Sequence, residues 1–190
     1  MSSRLFVVAG PSGVGKGTLI ARARAALPEL EVATSATTRP RRPDEQDGRE
    51  YHFLEDAEFA RRVEAGDFLE HVSYAGNRYG TLRSEVEQRL RDGGSVVLEI
   101  EVAGAREIRR QMPGAVLVFV APPTMADLEA RLRGRRQNTE TEVSDRLRIA
   151  AEEMRARPEF DHTITNDDAD RAAAELAELM RSAMNAEEHE

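Results

Sequence analysis

The sequence predicts an α/β fold in which a parallel sheet carries helices on both faces. Short apolar runs without alternation are typical of strands that are buried on both faces of such a sheet. Three of these runs occupy residues 5–9, 95–100 and 115–120. A glycine-rich turn follows the first run and leads directly into a helical segment. The chain therefore begins with a predicted strand, loop and helix.

Further elements continue the alternation of strands and helices. The predicted helices are 16–27 and 103–111, followed by three segments in which apolar side chains recur at helical spacing from Met125, Val143 and Leu176. Residues 162–165 predict a short strand before the last helix. This alternation of strands and helices predicts a parallel sheet that is covered on both faces.

Composition restricts the kind of protein. With 190 residues, of which 40% are hydrophobic and 33% charged, the chain fits a single globular domain. A formal net charge of -8 argues against a nucleic-acid surface, and the apolar runs are too short to cross a bilayer. The sequence has no cysteine, which excludes disulfides and thiolate metal sites. We expect a cytoplasmic protein that binds neither nucleic acid nor membrane, of undetermined oligomeric state.

Two polar stretches interrupt the alternation. Residues from about 35 to 94 contain only scattered apolar pieces and predict a small lobe inserted into the domain. A second, highly charged stretch predicts a loop or lid over about 133–146. The predicted core then comprises about residues 1–34, 95–132 and 147–185.

A phosphate-binding loop is predicted after the first strand. Residues 10–16 (GPSGVGK) contain the glycine, four-residue gap and Gly-Lys pair of the Walker A motif. Glycines allow backbone N–H groups to surround phosphate oxygens, and the Lys16 ammonium can reach the β- and γ-phosphates. The alternative is a glycine-rich turn without a ligand. The residues predicted to hold a nucleoside triphosphate here are Gly10, Pro11, Ser12, Gly13, Val14, Gly15 and Lys16.

The position after Lys16 departs from this motif. A Ser or Thr hydroxyl usually serves Mg²⁺ there, whereas this chain has Gly17 followed by Thr18. The Gly-Lys-Gly-Thr sequence resembles the loops of nucleoside monophosphate kinases. We therefore include Gly17 and Thr18 in the triphosphate site, with Thr18 as a contact to phosphate or to Mg²⁺-bound water.

Several later motifs resemble the guanylate kinase family. They are SATTRPRR at 35–42 with Glu45 and Gly48, YHF at 51–53, FLEH at 68–71, YGT at 79–81, LEIE at 98–101, the arginines near 131–146, and NDD at 166–168. Their order along most of the chain makes the resemblance more specific than the loop alone. It implies a sheet with an inserted monophosphate-binding lobe and a short lid, and Mg²⁺-dependent phosphoryl transfer from ATP to GMP.

Guanine recognition requires a carboxylate and hydroxyl groups. Guanine presents adjacent donors at N1 and N2 and an acceptor at O6. Glu70 can accept from both donors, while Ser35 and Thr81 can donate to O6. The resemblance implies the same positions for the base and adds Glu101, where the family usually has Asp, so a displaced or water-mediated contact is expected. The alternatives are a surface carboxylate at position 70 and turn or cap hydroxyls at the other two.

Arginines and tyrosines of the predicted lobe fit the acceptor phosphate. The guanidinium forks of Arg39 and Arg42 match phosphate oxygens, and the hydroxyl groups of Tyr51 and Tyr79 can donate further hydrogen bonds. The alternative for the arginines is a solvated basic face. For the tyrosines it is half-buried packing with wet hydroxyl groups.

Phosphoryl transfer needs positioning and charge neutralisation rather than a nucleophilic side chain. The predicted catalytic residues are Lys16, Arg39, Arg135 and Arg146, of which the last two come from the resemblance to the family's lid. Many arginines crowd this region, so solvent-facing charge is the alternative for both.

The resemblance also places Asn166 near the adenine of ATP, although capping of the last helix is an equal alternative. We expect Mg²⁺ to be held mainly by ATP phosphates and water. Thr18 and Glu99 are the candidate protein contacts, and Glu99 can equally have a structural role at its strand end.

Two other functions remain open from the sequence. A related kinase could act on another phosphorylated acceptor, such as a ribose bisphosphate, through the same loop. A catalytically silent interaction module of guanylate-kinase type is the second alternative, but Lys16 and the lid arginines are present.

Overall fold

Strands and helices account for most of the described chain. The computed structural model describes residues 2–74, 76–134 and 139–186. The strands are β1 (Leu5–Ala9), β2 (Leu30–Val32), β3 (Ala36–Thr37), β4 (His52–Phe53), β5 (Phe68–Tyr74), β6 (Asn77–Leu82), β7 (Ser95–Glu99), β8 (Val116–Ala121) and β9 (His162–Thr165). The helices are α1 (Lys16–Ala26), α2 (Asp56–Glu64), α3 (Arg83–Arg91), α4 (Val102–Gln111), α5 (Met125–Arg133), α6 (Glu140–Arg155) and α7 (Ala169–Asn185), with a 3-10 turn at Arg157–Glu159.

A five-stranded parallel sheet forms the centre of the fold. Its strand order is β2-β7-β1-β8-β9. Every residue of β1 is buried, because successive side chains enter separate apolar clusters on the two faces of the sheet. Phe6 and Val8 belong to the cluster with α1 and α7, whereas Leu5 and Val7 belong to the one with α3 and α4. The predicted fold class is confirmed.

A second, four-stranded sheet is built from the segment predicted as a lobe. Its order is β4-β3-β6-β5, in which β3 pairs parallel with β4 and antiparallel with β6. A small apolar cluster supports it, and the rings of Phe59 and Phe68 stack with centroids 4.4 Å apart. Within this sheet, the antiparallel pairing of β5 with β6 places Glu70 directly opposite Thr81.

The charged stretch after α5 is partly helical, which corrects the expectation of a loop there but does not test the predicted lid. The helix α6 begins at Glu140, so residues 140–146 are not a loop. Thr139 and Glu142 form a reciprocal capping box, in which each side chain accepts the other residue's backbone N–H. Arg135 lies outside the described residues. Within the described chain, no helix has the length and apolarity needed to cross a membrane.

Candidate active site

The loop between β1 and α1 has the backbone that only glycine tolerates at two key positions. Gly10 has φ 142°, and a Cβ there would lie 2.2 Å from the Val120 carbonyl oxygen. Gly15 has φ 100° at the N-cap of α1, and a Cβ there would lie 2.7 Å from the Asn166 amide nitrogen. Glycine removes both clashes and allows the left-handed backbone. The first turn of α1 therefore opens onto the loop, as a phosphate cradle requires.

Lys16 stands at the centre of this loop. Its Nζ donates hydrogen bonds to the carbonyl oxygens of Gly10 at 2.6 Å and Pro11 at 3.4 Å. Burial lowers the pKa of Lys16, while nearby carboxylates, with Glu99 the strongest, oppose that shift. It is also the only lysine in the sequence. The chain thus places its single ammonium side chain against the candidate phosphate cradle.

Two residues from distant parts of the chain hold the loop in place. The Asn166 side-chain amide donates to the Val14 carbonyl oxygen at 2.7 Å. Arg131 donates to the same oxygen at 3.2 Å and to the Asn166 carbonyl oxygen at 2.8 Å. Asp168, not Asn166, caps α7, so the capping alternative for Asn166 is wrong. Arg131 belongs to the motifs that carry the resemblance, but the sequence assigned it no role, because its contact with Val14 joins residues 117 positions apart.

Gly17 provides space for a carboxylate from the neighbouring strand. A Cβ at position 17 would lie 3.0 Å from Glu99 Oε2, at the limit of close contact. Glu99 ends β7, which pairs directly with β1. Glu99 and Thr18, the residue after Gly17, both line a cavity of about 350 Å³. The remaining lining residues are Ser12, Gly13, Gly15, Lys16, Gly17 and Glu101.

A larger cavity of about 440 Å³ adjoins the loop cavity. It brings together five predicted acceptor-site residues: Ser35, Tyr51, Glu70, Tyr79 and Glu101. The two cavities share Lys16, Glu99 and Glu101 among their lining residues. They consequently meet at the point where the loop lysine faces the end of β7.

Glu70 is a buried carboxylate in the wall of the larger cavity. Its side chain is held by Thr81, whose hydroxyl donates to Glu70 Oε1 at 2.8 Å. Burial raises the pKa of Glu70 to about 7, and Thr81 opposes this rise by stabilising the charged form. Thr81 does not line the cavity itself; it influences the cavity only through its hydrogen bond to Glu70. A buried carboxylate aimed at a cavity is suited to a ligand that brings N–H donors.

The raised pKa of Glu70 makes stability depend on pH in a defined direction. The ordinary pKa of a glutamate is 4.5, so between about pH 4.5 and 7 the Glu70 carboxyl group takes up a proton when the chain folds. The stability that this group contributes is therefore greatest below about pH 4.5 and is lost as pH rises to about 7, by up to about 3 kcal/mol. Denaturant titrations from pH 5 to 8 are expected to show a steeper fall in the wild type than in Glu70→Gln, which keeps only the part of the fall that other partly buried carboxylates such as Glu153 contribute. Parallel curves for the two proteins would contradict the assignment.

Arg39 is held by a carboxylate that the sequence did not single out as functional. Arg39 Nη2 lies 2.6 Å from Glu45 Oε1, with side chains only 16% and 10% exposed. Glu45 Oε2 also accepts the backbone N–H of Arg42 at 2.8 Å. The Arg39 guanidinium lies 5.6 Å from the centroid of the Tyr51 ring, which lines the larger cavity. Glu45 therefore fixes the turn that carries both predicted phosphate-binding arginines.

The other predicted arginines lie less directly at the site. Neither Arg39 nor Arg42 is among the described residues that line the cavity, and the Arg42 side chain is exposed. Arg146 is half-buried on α6 and is not among the described residues that line either cavity. Arg135 cannot be placed because it lies outside the described ranges.

A further acidic group faces the site from α6. Glu153 is half-buried, and burial followed by the nearby Glu101 charge raises its pKa to about 7. The Lys16 charge opposes that rise. The sequence pattern placed this position on a helix but did not indicate that its side chain faces the loop lysine.

Comparison with known proteins decides the family. The guanylate kinase family model matches residues 2–183. The chain belongs to the guanylate kinase family. A guanylate kinase from Rubrobacter xylanophilus is 50% identical over 178 residues, covering 94% of this chain and 93% of the relative. One from Frankia casuarinae is 51% identical over 176 residues, covering 93% and 96%.

Solved structures agree with this assignment at the level of the fold. The crystal structure of guanylate kinase from Anaplasma phagocytophilum is similar with a TM-score of 0.77 and 27% identity, covering 97% of this chain and 88% of that one. A shikimate kinase from Bacteroides thetaiotaomicron has a TM-score of 0.54 at 19% identity, with coverage of 94% and 98%. The latter similarity concerns the fold alone. The sequence-based prediction of the family is confirmed.

Proposed function

We propose that this chain transfers the γ-phosphoryl group of ATP to the phosphate of GMP, giving ADP and GDP. The observation that carries the proposal is the meeting of two cavities at Lys16, Glu99 and Glu101. One cavity contains the phosphate-binding loop, and the other contains the buried carboxylate Glu70. A donor nucleotide in the first and an acceptor nucleotide in the second would face each other across Lys16. Close approach and alignment supply much of the acceleration in such a transfer.

The donor side is assigned to the loop and the start of α1. The ATP phosphates would lie against residues 10–18, with the Lys16 ammonium on the β- and γ-oxygens. Lys16 would exchange its bonds to loop carbonyl oxygens for bonds to phosphate. Asn166 and Arg131 would act by holding the loop at Val14 rather than by touching the transferring group. We also propose that Asn166 lies beside the adenine.

Mg²⁺ is the cofactor that we propose for the donor side. Thr18 and Glu99 both line the donor cavity, and hydroxyl and carboxylate oxygens suit Mg²⁺ or its bound water. When bound, the ion neutralises charge on the β- and γ-phosphates. Removal of the ion with a chelator is therefore expected to abolish transfer.

The acceptor side is assigned to the second sheet and the end of β7. Glu70 would accept from N1–H and the N2 amino group of guanine, with Ser35 and Thr81 supplying hydroxyl groups and Glu101 a second carboxylate. Arg39 and Arg42, together with Tyr51 and Tyr79, would bind the GMP phosphate. The Glu45 ion pair already holds Arg39 within reach of the Tyr51 ring. This division assigns base recognition to the cavity wall that contains Glu70, and phosphate binding to the side where Tyr51 and Tyr79 line the cavity.

Closure of the site is assigned to the region after α5. We propose a core of residues 1–34, 95–132 and 147–185, a GMP-binding lobe of 35–94 and a lid of 133–146 within one domain. Arg135 and Arg146 would neutralise charge on the transferring group when this lid closes and excludes water. We further propose a cytoplasmic location, as for an enzyme that recycles nucleotides.

The reaction is tested by following the label of γ-³²P-ATP. With GMP and Mg²⁺, labelled GDP is expected to form in proportion to the ADP released. A chelator is expected to stop its formation, and added Mg²⁺ to restore it. Release of labelled inorganic phosphate at the same rate with and without GMP would refute the proposed transfer.

A further inference from the structure

Gly104 occupies a position in α4 where the helix itself gives no reason for glycine. It lies inside the helix, is buried, and has no left-handed φ. Glycine is the weakest helix former apart from proline, so alanine would be preferred there on helix propensity alone. The reason for glycine must therefore lie in what packs against this point.

The Glu70 carboxylate fills the space that a side chain at position 104 would take. A Cβ on Gly104 would lie 2.8 Å from Glu70 Oε2 and 3.2 Å from its Cδ, below normal contact distance. The other oxygen, Oε1, accepts the Thr81 hydroxyl at 2.8 Å. The carboxylate is thus held between a hydrogen bond on one side and the bare backbone of α4 on the other.

We propose that Gly104 is a positioning residue for guanine recognition, because its missing side chain lets the Glu70 carboxylate take the orientation that accepts two base donors. The inference rests on the proposed function and adds a residue that does not touch the substrate. A larger side chain would displace Glu70 rather than the helix. The helix is anchored by buried Ala105 and Ile108 and by Gln111, whose amide donates to the Leu69 carbonyl oxygen at 2.8 Å.

Gly104→Ala tests this inference through acceptor discrimination. Inosine monophosphate lacks the N2 amino group, so it can use only one of the two contacts with Glu70. A displaced carboxylate is expected to lower kcat/KM for GMP by about ten- to hundredfold, the effect of one lost charge-assisted hydrogen bond. The loss for inosine monophosphate should be clearly smaller, so the preference for GMP should shrink. KM for ATP should stay unchanged, and Tm should not fall.

Gly114→Ala is the matched control, because a Cβ there meets nothing within 4 Å. It should keep both acceptor activities. Glu70→Asp provides the second test, since the shorter side chain withdraws from α4. Adding Gly104→Ala to Glu70→Asp should then cost less than it does in the wild type. Equal costs in the two backgrounds, or equal losses for both acceptors with a lower Tm, would overturn the inference.

A readout without catalysis separates this inference from the proposed function. The Glu70 carboxyl carbon can be titrated by NMR in the wild type and in Gly104→Ala. Displacement from its buried position is expected to lower the pKa of Glu70 towards 4.5, whereas an unchanged titration would overturn the positioning role. Failure of the wild type to form GDP would refute the proposed function, and this titration would still decide whether Gly104 positions Glu70.

Discussion

Lys16→Ala is expected to lower kcat for GDP formation by about 10²–10³-fold, the range found when one preorganised donor is removed from charge developing in a transition state. Lys16 is the only lysine of the chain and lines both cavities. The Lys16 ammonium is largely removed from water, so its attraction to phosphate charge is stronger than it would be in bulk solvent. Steady-state kinetics with varied ATP and GMP would measure the loss.

Arg24→Ala is the matched control for this variant. Arg24 lies on the same helix and also donates to a backbone carbonyl oxygen, that of Leu30 at 3.2 Å, but it lines neither of these cavities. It should change stability slightly and leave kcat near the wild-type value. If Lys16→Ala keeps the wild-type kcat, Lys16 has no role in phosphoryl transfer. Thermal unfolding of both variants is measured as well, because Lys16 also donates to carbonyl oxygens of the loop. A lower Tm in Lys16→Ala alone would indicate that the loss of kcat comes from a destabilised loop.

Glu70→Gln is expected to lower kcat/KM for GMP by about 10²–10⁴-fold. Glutamine keeps one acceptor but turns an amide N–H₂ towards a donor of guanine, so up to two charge-assisted hydrogen bonds are lost at about 1.5–3 kcal/mol each. KM for ATP should stay unchanged because the donor cavity does not include Glu70. The variant should also be at least as stable as the wild type at pH 8, where it no longer buries an ionised carboxylate.

Glu50→Gln makes the same chemical change elsewhere in the larger cavity. Glu50 lines this cavity, but its side chain is 33% exposed and pairs with Arg49. We expect it to alter kcat/KM for GMP by less than about threefold, as for an exposed ion pair. Comparable losses in both variants would show that the cavity's net charge matters rather than the position of Glu70.

The sequence predicted those parts of the fold whose signals are local. The first strand, the glycine loop and α1 follow one another within 22 residues, from Leu5 to Ala26, and each has its own pattern. The strand β2 was not predicted, because three residues at a sheet edge carry too little periodicity. The two-residue strands β3 and β4 were also missed, since they exist only through pairing with each other and with β6.

The same distinction applies to the site. Motif positions such as Lys16 and Glu70 could be proposed from the sequence because their residue types match a chemical requirement at fixed spacing, and both line the cavities described above. The supporting residues Glu45, Arg131 and Gly104 were not assigned roles. Their partners are known only once the chain is folded: Arg39 for the first, Val14 for the second and Glu70 for the third. Residues that act through another residue leave little trace in a single sequence.

The most direct test of the central claim is the ratio of kcat/KM values for GMP and AMP as acceptors, with ATP and Mg²⁺ held constant. Adenine lacks the paired donors that Glu70 would accept, and an unpaired buried carboxylate penalises the wrong base by about 10⁴-fold or more. We therefore predict a preference for GMP of at least about 10³-fold, with UMP and CMP as poor as AMP. Equal or greater activity with AMP would contradict the assignment of the Glu70 cavity to guanine.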